Sequence, residues 1–169
     1  TVGLELARQW PEVEVVLFPT GGGGLVAGSS LALVGELGER VQVIGVEPEG
    51  APNLTDSLEA GEVVPLARIT TKVQGLCPLD TGELNLALAE RYLRGTILLS
   101  DEEIYAGQKV LVRAGLTVEP AGAAAFAAVL AGALPDELLA GPSHANRLRV
   151  AAVIWGGNPD PAQLAALLG

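Results

Sequence analysis

A chain of 169 residues, 49% hydrophobic and 18% charged, has the size and composition of one folded domain rather than a disordered segment. Its net charge of −10 argues against nucleic acid or an anionic membrane surface as a partner, since both call for a basic face. No apolar run reaches membrane-spanning length, and the lone Cys77 and lone His144 leave no internal disulfide and no Cys/His zinc site, which fits a reducing, cytoplasmic setting.

The chain opens at Thr1, contains no Met, and starts on residues that read as a helix already under way. An excised or processed piece of a longer protein is therefore expected. Residues 2 to 10 are predicted helical, with Pro11 as the stop. VEVVLFP, 13 to 19, is a short β-branched run and hence a buried strand. Four glycines follow, and residues 25 to 37 continue as a helix that ends near Gly38. VQVIGVEP, 41 to 48, is a second strand. This α-β-α-β order is the signature of a parallel sheet with crossover helices.

Beyond it, a short helix turns at Gly61, and residues 65 to 82 carry no period and read as a long loop. ELNLALAERYL is a helix and TILLS a strand. Ser100 to Glu103, SDEE, is a capping box opening a helix to about Arg113. Pro120 opens an alanine-rich helix. GPSHANR is a loop, with His144 expected at the surface; 149 to 155 is the last strand, and 161 to 168 a terminal helix. The expected fold is a doubly wound α/β domain over 1–169, a parallel sheet of about four strands with helices on both faces.

The stretch with most chemical content is FPTGGGGLVAG, 18 to 28. A glycine-rich turn between strand and helix lets backbone N–H groups approach oxygen atoms closely, and the helix start adds partial positive charge. No Lys or Arg accompanies it, which suits one phosphate monoester better than a triphosphate. The P-loop pattern fails for want of Gly-Lys-Ser/Thr. Gly22, Gly24 and Ala27 do satisfy G-x-G-x-x-A, and Glu47 stands where a ribose-binding acid belongs. An NAD-binding Rossmann domain is thus an alternative, although here a helix precedes the fingerprint strand.

Six segments in series resemble the fold-type II pyridoxal-phosphate enzymes, the group of threonine and serine dehydratases, serine racemase and threonine synthase. They are TVGLEL (1–6), the glycine stretch, VIGVEPEGAPNL (43–54), LLSDEEI (98–104), LTVEPAGAAAFAAV (116–129) and WGGNPD (155–160). The resemblance implies that Gly21, Gly22, Gly23, Gly24 and the N–H of Leu25 hold the phosphate of pyridoxal 5'-phosphate. It implies that Glu119 lies near the cofactor ring, and that Trp155 takes the place of a small polar residue facing the pyridine nitrogen. Indole is a donor only and far bulkier, so Trp155 either serves a neutral nitrogen or turns into the core. A divalent cation, Mg or Ca, is implied at Glu47, the Ala51 carbonyl and Asn53, with Asn in place of an acid.

The resemblance also places the Schiff-base lysine in an N-terminal lobe upstream of this chain. Lys72 in the long loop and Lys109 on a surface helix do not match it, so no catalytic residue is assigned here. The implied activity is that of a threonine or serine ammonia-lyase, a homodimer when whole, acting on a 3-hydroxy amino acid. Threonine synthase-like β-replacement and amino-acid racemisation are its neighbours, and a non-catalytic fragment or binding module is the alternative of another class.

Overall fold

The computed structural model describes residues 1–140 and 147–168, so His144 and the loop around it lie outside the described residues. The elements run α1 (Val2–Gln9), β1 (Val15–Pro19), α2 (Gly24–Leu37), β2 (Gln42–Pro48), α3 (Asn53–Ala60), α4 (Glu83–Tyr92), β3 (Gly95–Leu99), α5 (Asp101–Arg113), α6 (Pro120–Leu130), α7 (Asp136–Leu139), β4 (Val150–Ala152) and α8 (Pro161–Leu168). The four strands form one all-parallel sheet in the order β3-β2-β1-β4. This is the expected α/β architecture with helices on both faces. No helix among the described residues is long and apolar enough to cross a membrane.

The strands are apolar on both sides because both sides are covered. Val15 and Leu17 of β1 pack with Ile44, Ile97 and the alanines of α6. Val16 and Phe18, one residue out of phase, pack with Val26 and Leu33 of α2 and with Leu54 and Leu86. On that second face α1 and α4 both lie against α2. On the first, α6 is sandwiched between the sheet and α5, which accounts for its run of buried alanines.

Close approach there depends on two glycines. A Cβ on Gly107 of α5 would lie 2.7 Å from the Ala127 side chain of α6. A Cβ on Gly122 of α6 would overlap the carbonyl oxygen of Trp155. The capping box at the start of α5 is present with both of its reciprocal bonds.

The last strand differs from expectation. It covers three residues rather than 149 to 155. Val150–Ala152 pair with Val15–Leu17, and the N–H of Val153 donates to the Leu17 carbonyl at 3.0 Å. Beyond that point the backbone leaves the sheet and crosses the first turn of α6, where Glu119 N–H donates to Gly156 O at 2.7 Å. One-turn α7, following Pro135, has no counterpart in the sequence expectation.

The two kinds of helical glycine predict opposite outcomes. Gly107→Ala overpacks α5 on α6 and should lower unfolding free energy by about 1–3 kcal/mol. Gly35 is exposed in α2 with open space around its missing Cβ, so Gly35→Ala should raise it by roughly 0.5–1 kcal/mol. Denaturant midpoints of the two variants check both signs.

Candidate functional site

The sheet order places β2 on one side of β1 and β4 on the other. Chain direction across the sheet therefore reverses between β1 and β4, and the C-terminal ends of these two strands mark the switch point at which open α/β sheets form a ligand crevice. The tetraglycine turn leaves β1 at that point, and Trp155-Gly156-Gly157 leaves β4 at it.

Gly23, at φ 82°, is the N-cap of α2, and Gly24 is its first residue. Among the described residues, no acceptor takes the N–H groups of Gly21 through Val26. The Gly22 carbonyl, by contrast, is held twice, by Asn85 Nδ2 at 2.6 Å and by Thr81 Oγ1 at 3.1 Å. A trans peptide points its C=O and N–H in opposite directions. Fixing the Gly22 oxygen toward α4 therefore turns the Gly23 N–H the other way, away from α4. The result is a cup of backbone donors backed by the positive end of a 14-residue helix.

The glycines have separable reasons. A Cβ on Gly21 would stand 3.3 Å from Gly75 O and from the Pro78 ring, so this glycine lets the long loop lie against the cup. Gly23 needs its positive φ, and a Cβ there would meet Thr81 Oγ1 at 2.9 Å. Gly24 is exposed, helical and surrounded by open space. Nothing among the described residues requires its missing side chain.

Trp155 and Glu119 form the neighbouring wall. Trp155 is 36% exposed and does not turn into the core, contrary to one of the two expected placements. Its ring edge comes 3.6 Å from where a Cβ on Gly75 would stand, and Gly75 itself abuts Gly21. The cup, the long loop and the exit of β4 thus meet at Gly75. Glu119 is the N-cap of α6, and its Oε1 accepts the Asn158 N–H at 3.0 Å. With its own N–H on Gly156 O, Glu119 straps the Trp155–Asn158 turn to the start of α6.

Glu47 is fully buried. Its Oε1 accepts Leu54 N–H at 2.9 Å, and its Oε2 accepts Thr55 N–H at 2.8 Å and Thr55 Oγ1–H at 2.6 Å. Burial pushes its carboxyl above the usual carboxylate range, against the pull of the Thr55 and Leu54 donors. It anchors the first turn of α3, an arrangement that leaves it poorly placed for a ribose. Ala51 is buried beside this turn, and the side-chain amide of buried Asn53 has no hydrogen-bond partner among the described residues. Among the described residues no group of three or more His, Cys, Asp and Glu side chains clusters as a metal site.

Neither lysine enters the cup region as a buried group. Lys72 is exposed, its N–H held by Asp101 Oδ2 at 2.7 Å and its carbonyl by the Tyr105 hydroxyl at 3.0 Å. Its side chain borders a cavity of about 250 Å³ with Tyr105, Glu119 and Asn158. Lys109 lies on α5, half-buried. The Cys77 thiol bonds Val73 O at 3.0 Å, and burial followed by the Asp101 charge pushes its pKa up, so it is a poor nucleophile.

Thr81 and Asn85 escaped the sequence reading. The available signal was a polar residue just before the N-cap Gly82 and another in the first turn of the helix that follows. Their partner, 59 and 63 residues earlier, leaves no trace in the local pattern.

A glycine turn of backbone donors without acceptors among the described residues stands at the switch point of a parallel sheet, and the comparisons with known proteins identify the family. Residues 1–141 match the model of the pyridoxal-phosphate dependent enzyme family, and the chain belongs to that family. It is 35% identical over 166 residues to an L-threonine ammonia-lyase of Thermotoga maritima, covering 95% of this chain and 37% of that protein. It is 36% identical over 170 residues to a phenylserine dehydratase of Ralstonia pickettii, covering 100% of this chain and 49% of that one. The processed form of threonine deaminase isoform 2 from Solanum lycopersicum superposes with a TM-score of 0.85 at 29% identity, over 99% of this chain and 47% of that one. The chain thus spans about half or less of the length of these relatives. Family membership displaces the dinucleotide-binding alternative.

The Glu47 environment predicts a pH dependence. Its folded pKa lies above its unfolded one, so between the two values the folded state binds more protons. Stability is therefore greatest below that window and falls as pH rises through it. Unfolding measured from about pH 4 to about pH 8 should show this decline from the usual carboxylate range upward, and Glu47→Gln should flatten it.

Proposed function

We propose that this chain is the cofactor-phosphate-binding part of a pyridoxal-phosphate-dependent ammonia-lyase that converts a 3-hydroxy amino acid, threonine or serine, to a 2-oxo acid and ammonia. The observation that carries it is the set of N–H groups from Gly21 to Val26 that have no acceptor among the described residues, with the Gly23 N–H oriented by the double hold on Gly22 O. The named relatives supply the substrate class. The residues fit the group. Hydrogen bonds to a charged acceptor are each worth about 1.5–3 kcal/mol, so several donors hold a phosphate monoester without a lysine or arginine beside them.

Bound pyridoxal phosphate supplies an electron sink for chemistry at the substrate's α-carbon. Gly21, Gly22, Gly23, Gly24 and the Leu25 N–H hold its phosphate. Glu119 and Trp155 border the ring end of the site, Glu119 by fixing the turn that carries Trp155 and Trp155 by covering Gly75. The lysine that joins the cofactor is assigned by the family resemblance to a preceding lobe; Lys72 is exposed and Lys109 is only half-buried, so neither has the full burial that activates such an amine. The chain alone is accordingly expected to be inactive, and the whole enzyme to be a cytoplasmic homodimer.

A divalent cation at Glu47, Ala51 and Asn53 has one supporting observation, the orphaned amide of Asn53, whose oxygen suits a hard cation. Opposing it, three donors already engage the Glu47 oxygens. If a cation binds, adding Mg or Ca to the full-length protein raises its melting temperature, and Asn53→Asp enlarges the increase; no shift in either protein removes the site.

The phosphate assignment is tested in the full-length protein through the cofactor's visible absorption and through titration with inorganic phosphate. Gly23→Ala strains the N-cap and should lower pyridoxal phosphate affinity about tenfold or more. Gly24→Ala should leave stability unchanged or higher, because nothing in the chain lies within 4 Å of its added methyl, yet still weaken phosphate if the ligand fills that open space. Undiminished affinity in both variants overturns the assignment.

A further inference from the structure

Gln108 lies on α5 with no solvent exposure and is a fully buried amide in an otherwise apolar helix interface. Its Nε2 donates to Val118 O at 2.9 Å and to Gln163 Oε1 at 3.1 Å. Its Oε1 accepts from Gln163 Nε2 at 2.8 Å. The two amides therefore form a reciprocal pair, with a third bond to the backbone. A buried amide that lost these partners would be costly, so the geometry is strongly held.

The partners locate its role. Val118 immediately precedes Glu119, and Gln163 sits in the first turn of α8, five residues after Asn158. Glu119 and Asn158 are the two ends of the strap that carries Trp155 and Gly156. One side chain thus holds both flanks of the strap from behind, without reaching the crevice.

We propose that Gln108 is a positioning residue for the ring end of the site: through Val118 and Gln163 it fixes the Glu119–Asn158 strap and with it the placement of Trp155. This rests on the cofactor reading above for its catalytic consequence, but not for its structural one. The phosphate cup at the other end of the site does not depend on Gln108.

The test uses full-length protein labelled with 5-fluorotryptophan, in which the Trp155 ¹⁹F resonance is the one lost in Trp155→Phe. Gln108→Met removes all three bonds at similar volume. Gln163→Ala breaks only the reciprocal pair and serves if the first variant fails to fold. Both should move or broaden the Trp155 resonance while leaving Trp10 unchanged and inorganic phosphate affinity within twofold. With pyridoxal phosphate saturating, kcat should fall about tenfold or more and KM less, the pattern of a misplaced rather than an unbound group. A folded variant with an unmoved Trp155 resonance overturns the proposal. A protein that binds no pyridoxal phosphate overturns the cofactor reading alone, since the ¹⁹F arm still reports on Gln108.

Discussion

The Gly22 carbonyl is the point on which the site's geometry turns. Two side chains from the far side of the long loop hold it, and a rigid peptide converts that hold into an outward N–H at Gly23. Remove the hold and four glycines form a floppy turn, because glycine adopts many backbone states with little preference. With it, the donors at the start of α2 are set before any ligand arrives. In the proposed phosphate role, preorganisation of this kind would let backbone dipoles substitute for a charged side chain.

The second constraint is steric. The alanine-rich α6 must lie close both to the sheet and to α5, and the exit of β4 must cross its first turn. Gly107 and Gly122 provide that room. Once β4 is drawn over Gly122, it cannot continue beside β1, and the Trp155–Asn158 turn falls into the crevice instead. Glu119 then fastens the turn. The short edge strand and the placement of Trp155 thus share one cause, and Gln108 reinforces it from the rear of α5.

Much of this was legible beforehand. The alternation of Val15, Val16, Leu17 and Phe18 within apolar runs marks a strand covered on both faces, and the SDEE capping box lies in one four-residue window. Such signals are local, set by period and by hydrogen bonds within a turn. The partners of Gly22 were not legible, because Thr81 and Asn85 lie at the end of an aperiodic loop whose path no local pattern encodes. The sequence pattern at Glu47 is that of a ligand-binding acid, for a ribose or a cation. Its engagement by Leu54 and Thr55 depends on how α3 folds back over the end of β2.

By itself the sequence determined the class of fold, the presence of a glycine cup after the first strand and the family to which the chain belongs, because these follow from composition, periodicity and contiguous motifs. Only the tertiary structure decided which way the Gly23 N–H faces, where the last strand ends and that Trp155 lies part-exposed beside Gly75 rather than in the core. Those outcomes are set by contacts between residues far apart in the chain, where one carbonyl, one missing Cβ or one buried amide selects among conformations of similar local energy.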